Sequence, residues 1–220
     1  MKLFEVKKTQ QPFKATGKVT TRSDGTIDVD GDVEYHSTAT SLAARFGNVS
    51  SHFDCSFTKI TSLEGAPQLV DKDFHCYNTL ITSLKGAPQS VGGDFHCYNT
   101  KIASLEGAPH TVGDVFCCEK TKITSLKGAP QSVGSNFWCT NNPSLSLVDV
   151  HKILPKNFQC KQFIFSETVK GGLGLKLVKG IQEIVVYKND QLTNLFNSTN
   201  DVLELQELLI DAGYANLARI

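Results

Sequence analysis

The chain has no surplus of either charge: among 220 residues, 22 are Lys or Arg and 22 are Asp or Glu. Without a broad basic field nothing holds a run of phosphates, which argues against a general nucleic-acid or membrane-surface binder and leaves room only for a local patch. Long apolar runs are also missing, since no stretch approaches the roughly 18 residues that a spanning helix needs. The opening MKLFEVKK passes straight into charged and polar residues. It does not hold an apolar stretch of about 7–15 residues, so neither a signal peptide nor a membrane anchor is expected. These absences predict a soluble, cytoplasmic protein. Catalytic signatures are equally scarce: there is no Gly-rich phosphate loop, nucleophile elbow or zinc-protease helix motif. Gly171-Gly172-Leu173-Gly174 lacks the Lys-Ser/Thr of a phosphate site and reads as a turn.

What the chain has is an internal repeat of 21 residues. The units are FDCSFTKITSLEGAPQLVDKD from Phe53, FHCYNTLITSLKGAPQSVGGD from Phe74, FHCYNTKIASLEGAPHTVGDV from Phe95 and FCCEKTKITSLKGAPQSVGSN from Phe116. FWCTNN at Phe137 opens a further unit, and FQC at Phe158 keeps the same register. Self-similarity at about 20–29 residues is the mark of leucine-rich repeats, in which no unit buries its own apolar side and neighbouring coils stack to share one core. Phe74 and Cys76 occupy alternating strand positions and point inward together, with Ile81, Leu84 and Val91 filling the other inward positions. Thr79 stands where an asparagine ladder is usual. Thr58, Thr79, Thr100 and Thr121, followed by Asn142, should satisfy the backbone where the chain leaves the strand.

The seven cysteines then read as packing rather than as a disulfide framework or a metal site. Cys55, Cys76, Cys97, Cys118, Cys139 and Cys160 form a buried thiol column with about 4.8 Å between rungs. Tetrahedral zinc needs ligands converging from several directions, which a straight column does not supply. Cys117 is the exception and faces outward. The GAP tripeptides at Gly65–Pro67, Gly86–Pro88, Gly107–Pro109 and Gly128–Pro130 cannot continue a helix, so the convex side should be extended or turn-like. Glu64, Lys85, Glu106 and Lys127 precede them as an exposed column of alternating sign.

At the ends the pattern loosens. Residues 32–52 read as an imperfect first coil, with Val33 and Tyr35 as a strand pair offset by one residue. Residues 1–31 suggest a β hairpin around Ser23-Asp24-Gly25 that covers the open core edge. Beyond Pro143, SLVDVHKIL suggests a short helix, and Phe163–Phe165, Leu175–Val178 and Ile184–Tyr187 suggest strands. In the tail, Leu192, Leu195 and Phe196 share one helical face, and Val202, Leu205, Leu208, Leu209 and Ala212 share another. Asn200 or Asp201 would cap the second helix and Gly213 would end it. The expected architecture is a mainly β leucine-rich-repeat solenoid. It has an N-terminal β cap over 1–31, repeats over 32–142, and irregular last coils with an α-helical cap over 143–220.

The SLEGAP/SLKGAP units and the ending ELLIDAGYANLARI resemble leucine-rich-repeat proteins of large tailed bacteriophages. The resemblance implies a phage protein made in the cytoplasm of an infected bacterium, and it brings no activity that can be carried over residue by residue. A weaker similarity is to short-repeat bacterial effectors, whose secretion leader and ubiquitin-ligase domain are not visible here.

The outward strand positions are the candidate site. Across the rungs they are His52-Asp54-Ser56, Asp73-His75-Tyr77, Asp94-His96-Tyr98, Val115-Cys117-Glu119, Asn136-Trp138-Thr140 and Asn157-Gln159-Lys161. Tyr and Trp supply large contact area at modest entropy cost and are enriched at binding hot spots. Asp54, Asp73, His75, Tyr77, Asp94, His96, Tyr98, Cys117, Glu119 and Trp138 are therefore the expected partner-binding residues, on a concave face that docks a host or phage protein. The bland alternative is that Tyr–Tyr and His–His stacks are relics of duplication, since FHCYNT occurs twice unchanged. The other readings are a virion or assembly component, and a weak metal-dependent or hydrolytic enzyme using His75, His96 and Cys117 with Asp94 or Glu119. No cofactor and no metal are expected, because a flat array near 4.8 Å spacing fits a single zinc poorly.

Overall fold

The computed structural model describes residues 12–194, Phe196, Thr199 and 201–219. Residues 1–11 of the expected N-terminal cap, Leu195 of the expected tail helix and Asn200 as an alternative helix cap lie outside the described residues. The chain is mainly β, a parallel-strand solenoid of about 8 turns with coils of about 21 residues.

β1 (Phe13–Ala15) precedes an antiparallel pair, β2 (Lys18–Thr21) and β3 (Ile27–Asp30), joined through Ser23-Asp24-Gly25. β4 (Val33–Tyr35), β5 (Phe46–Val49) and β6 (Phe53–Asp54) lead into the regular units. These supply β7 (Leu69–Val70), β8 (Phe74–His75), β9 (Ser90–Val91) and β10 (Phe95–His96). They go on to β11 (Thr111–Val112), β12 (Phe116–Cys117), β13 (Ser132–Val133) and β14 (Asn136–Trp138). Each coil thus lays one strand in each of two sheets. The first is ten-stranded and contains the Phe-bearing strands; the second is seven-stranded and contains the valine strands β5, β7, β9, β11 and β13. The valine strands pair in parallel and in register, Val49 beside Val70, Val91, Val112 and Val133 in turn. The side expected to be merely extended is therefore a hydrogen-bonded sheet of its own.

Between the sheets the apolar columns close completely. Phe53, Phe74, Phe95, Phe116 and Phe137 stack ring on ring with centroids 5.4, 5.3, 5.4 and 5.1 Å apart. Cys55, Cys76, Cys97, Cys118 and Cys139, together with the Ile and Leu columns, are fully buried. The threonine ladder does what its position requires: Thr58, Thr79, Thr100 and Thr121 each donate to the carbonyl of the cysteine three residues earlier. Asn142 replaces threonine at the end of that ladder. It donates to the carbonyls of Cys118 and Cys139 and accepts from the amide and hydroxyl of Thr121. The glycine of each GAP has a left-handed φ between 85 and 91°, which explains why no other residue recurs there. Of the alternating charge column only Lys127 and Glu106 meet, at 2.9 Å, among the described residues.

After β14 the register departs from the repeat. α1 (Val150–Ile153) and its flanks lengthen the coil, and β15 (Cys160–Ser166) sets Phe163, not Phe158, beside Phe137. Gln159 instead bridges to Ser132 in the second sheet. The FQC signature thus marks the second-sheet side of its coil, and Cys160, although buried, is not the next rung of the cysteine column. Leu175–Val178, expected as a strand, lies mainly in a 3-10 helix, Gly172–Leu177, where Gly171–Gly174 permit tight winding. β16 (Ile181–Lys188) continues the ten-stranded sheet in parallel and β17 (Gln191–Thr193) ends it antiparallel. Leu192 is therefore on an edge strand and not on a helix. α2 (Val202–Asp211) is capped by Asp201, which accepts from the amides of Leu203 and Glu204, and stops before Gly213. Leu205 and Leu209 are buried, but Leu208 and Ala212 are exposed, so its apolar face is narrower than the spacing suggests.

Candidate interaction surface

Strand alternation puts three columns on the outer face of the ten-stranded sheet. The pairing of Glu34, Asp54, His75, His96, Cys117, Trp138, Ile164 and Val185 across β4 to β16 defines the middle one. All ten candidates, Asp54, Asp73, His75, Tyr77, Asp94, His96, Tyr98, Cys117, Glu119 and Trp138, lie on these columns and are partly exposed. The expected last rung, Asn157-Gln159-Lys161, is replaced by Gln162-Ile164-Ser166 because of the longer coil.

The aromatic members stack along the solenoid axis. His75 and His96 are parallel within 8° with centroids 5.0 Å apart, and Tyr77 and Tyr98 are parallel within 11° at 4.4 Å. Identical side chains on adjacent in-register strands fall on top of one another, so the sequence FHCYNT builds both stacks by being repeated. Phe57 joins them edge-on, 5.3 Å from Tyr77. Sequence reasoning missed this residue, yet it is 74% exposed and its backbone is left-handed, φ 56°. The equivalent positions carry Asn78, Asn99, Lys120 and Asn141. Its signal was the phenylalanine in FDCSFT where the next two units read Asn.

The carboxylates have two kinds of work. Asp73 accepts from the amide of Asp94 and Asp94 from the amide of Val115, so each holds the next coil. Asp54 accepts from Ser56 of its own strand. Glu119 accepts from the Thr140 hydroxyl, which in turn accepts from Trp138 Nε1 at 2.8 Å. That chain covers Thr140, which is buried although it occupies an outward position. Imidazole–carboxylate contacts are close at His52–Asp73 and His36–Glu34, both 3.0 Å; His96–Asp94 and His75–Asp54 are 3.7 and 3.9 Å apart. Burial, aided by neighbouring His75, lowers the pKa of His96 against the pull of Asp94 and Asp73. Burial also pushes the Cys117 thiol up to about 12, with Glu119 and Asp94 adding to the rise. At neutral pH Cys117 is a thiol and not a nucleophilic thiolate. Burial likewise raises the Tyr98 phenol to about 12.

Among the described residues no set of three His, Cys, Asp or Glu side chains converges to hold a metal ion. A cleft of about 300 Å³ lies elsewhere, between Asn141–Pro143, Ser166–Thr168 and Tyr187–Asn189, and none of the candidates lines it. No helix among the described residues is long and apolar enough to cross a membrane. The chain matches no protein-family model, no curated protein and no solved structure.

Proposed function

We propose that the chain is a leucine-rich-repeat protein, closed at its C-terminal end by α2, that acts without catalysis as a protein-interaction module. Its partner is a host or phage protein, met in the cytoplasm of an infected bacterium. The observation that carries this reading is the continuous aromatic surface of Phe57, Tyr77, Tyr98, His75 and His96. These rings are partly or largely exposed on a sheet whose other face is fully packed. Rigid aromatics on a regular scaffold are the usual anchors of protein interfaces.

The test is affinity capture from infected cells with the wild-type chain and with Tyr98→Ala plus Trp138→Ala. A central interface aromatic is worth about 2 kcal/mol, or about 30-fold in affinity. Capture should be lost while the fold persists, allowing for a modest stability cost because Trp138 bonds the buried Thr140. Glu64→Ala with Glu106→Ala, off this face, should leave capture intact. Capture that survives the first pair and fails with the second would place the interface on another side.

A further inference from the structure

The three outward columns from β4 to β16 carry Glu34, Asp54, Asp73, Asp94, Glu119 and Glu183, and not one lysine or arginine. The whole chain holds equal numbers of both signs, 22 each, so these columns are depleted of cations; one flanking cation, Lys120, stands at the position equivalent to Phe57, 3.7 Å from Glu119 and 59% exposed. With neutral histidines the face is anionic on a molecule of zero net charge. Within it, Tyr98 stacks on Tyr77 through one face of its ring. The rung beyond Tyr98 bears Glu119 rather than another aromatic, since the amide of Asn99 binds the carbonyl of Glu119. A ring face and a carboxylate on adjacent rungs, about 4.8 Å apart, suit a planar cation that can stack and pair at once.

We propose that the partner docks on this face through an extended, arginine-bearing basic segment, with guanidinium groups lying over the tyrosine row and paired with Asp54 and Glu119. The inference rests on the interaction reading above and gives its partner a chemistry. Arginine, more weakly hydrated than lysine and able to bond carboxylates bidentately, gains from both the rings and the acids. Asp73 and Asp94 contribute field but not pairing, because Oδ1 of each holds the next coil and Oδ2 of each lies beside an imidazole, that of His52 or His96.

The test is fluorescence anisotropy with three labelled synthetic peptides of alternating sequence, Arg-Gly, Lys-Gly and Glu-Gly, on the full chain. The Arg-Gly peptide should bind best, Lys-Gly more weakly and Glu-Gly not measurably. Binding should fade as salt rises from about 0.01 to about 1 M, which shortens the screening length from about 30 to about 3 Å. Asp54→Asn with Glu119→Gln retains an acceptor for Ser56 and for Thr140. Two partly exposed ion pairs are worth about two- to thirtyfold in affinity, so a loss of about tenfold is expected. Glu-Gly binding as tightly as Arg-Gly overturns the proposal. So does a folded double variant that keeps its affinity within a factor of about two. If that variant fails to fold, the peptide order and salt dependence of the wild-type chain decide. Loss of capture by the Tyr98→Ala and Trp138→Ala pair without any preference for Arg-Gly would sink the basic-partner assignment alone, leaving the interaction reading standing.

Discussion

Phe57→Asn separates fold from function at one position. The phenylalanine holds a left-handed φ of 56° and is 74% exposed, where Asn78, Asn99 and Asn141 occupy the same conformation in other coils. Left-handed backbone costs a non-glycine residue about 1–2 kcal/mol, and asparagine is among the few that tolerate it. Against that gain stands the edge contact with Tyr77 at 5.3 Å, worth about 0.5–1.5 kcal/mol. An asparagine would also extend the side-chain ladder that Asn99 already forms with Asn78, adding a few tenths of a kcal/mol at this exposed site. The balance is a stabilisation of about 0.5–1 kcal/mol, or a rise in unfolding midpoint of about 1–4 °C for a chain of this length. Scanning calorimetry reads that shift, and Arg-Gly peptide binding should weaken in the same variant because the aromatic row loses its outer ring. A midpoint that falls would show that Phe57 is a packing residue. A midpoint that rises with unchanged binding would refute the role given to the row.

The cysteines offer a second check. Burial drives the thiols of Cys76, Cys97, Cys118 and Cys139 well above their ordinary value, and those of Cys117 and Cys160 to about 12. Native labelling at neutral pH should therefore be slow at all seven, Cys117 leading, and should become fast in denaturant; stoichiometric labelling at the unfolded rate would show the strand phase to be wrong. A third concerns pH: His96 takes up its proton at lower pH in the folded chain than in the unfolded one. The stability it contributes above the ordinary imidazole value is therefore lost as pH falls below about 6.5. The unfolding midpoint should drop through that range and drop less in His96→Gln, whereas the carboxylates lowered by their hydrogen bonds, such as Asp32, act only nearer pH 4; a midpoint flat between neutrality and about pH 5 contradicts this.

The regular coils were legible because every unit repeats both a strand phase and a turn chemistry. Phe74 and Cys76 two apart, Thr79 at the turn and Gly86-Ala87-Pro88 beyond it leave one consistent winding. The second sheet was not legible, since Ser90-Val91 and its equivalents are strands of only two residues that pairing with neighbours, not local pattern, defines. Beyond Pro143 the repeat ceases to constrain register. FQC at Phe158 imitates the strand signature, but the residues around α1 displace it, and the longer apolar run ending in Phe163-Ile164-Phe165 takes the sheet instead. Leu192 shows the same limit: its helical spacing to Phe196 yields to pairing between Tyr187 and Leu192 on the sheet edge. The candidate residues share one face because alternation is the strongest constraint on a strand. Their hydrogen-bond duties, which separate Asp73 from Asp54, were not readable from one dimension.

That separation decides how the face can be interrogated. Stacks of identical side chains arise whenever a coil is duplicated, so His75 on His96 and Tyr77 on Tyr98 do not by themselves imply a partner. Asp73 and Asp94 have a structural reason to recur, since each accepts an amide from the next coil. Their loss would leave a partly buried donor unpaired and confuse binding with folding. Asp54, Glu119 and Phe57 are different: each departs from its neighbours in the repeat, and none holds a backbone amide of another coil. Asp54 accepts from Ser56 of its own coil, Glu119 accepts from a hydroxyl and lies 3.7 Å from Lys120, and Phe57 adopts a conformation that favours asparagine. Duplication does not account for them, and of the three Glu119 meets a buried group, the Thr140 hydroxyl. Substitutions at Asp54 and Phe57, and Glu119→Gln, which keeps an acceptor for Thr140, therefore report on the surface, and an effect on binding at these three positions without a fall in unfolding midpoint would carry more weight than any change at the repeated histidines and tyrosines.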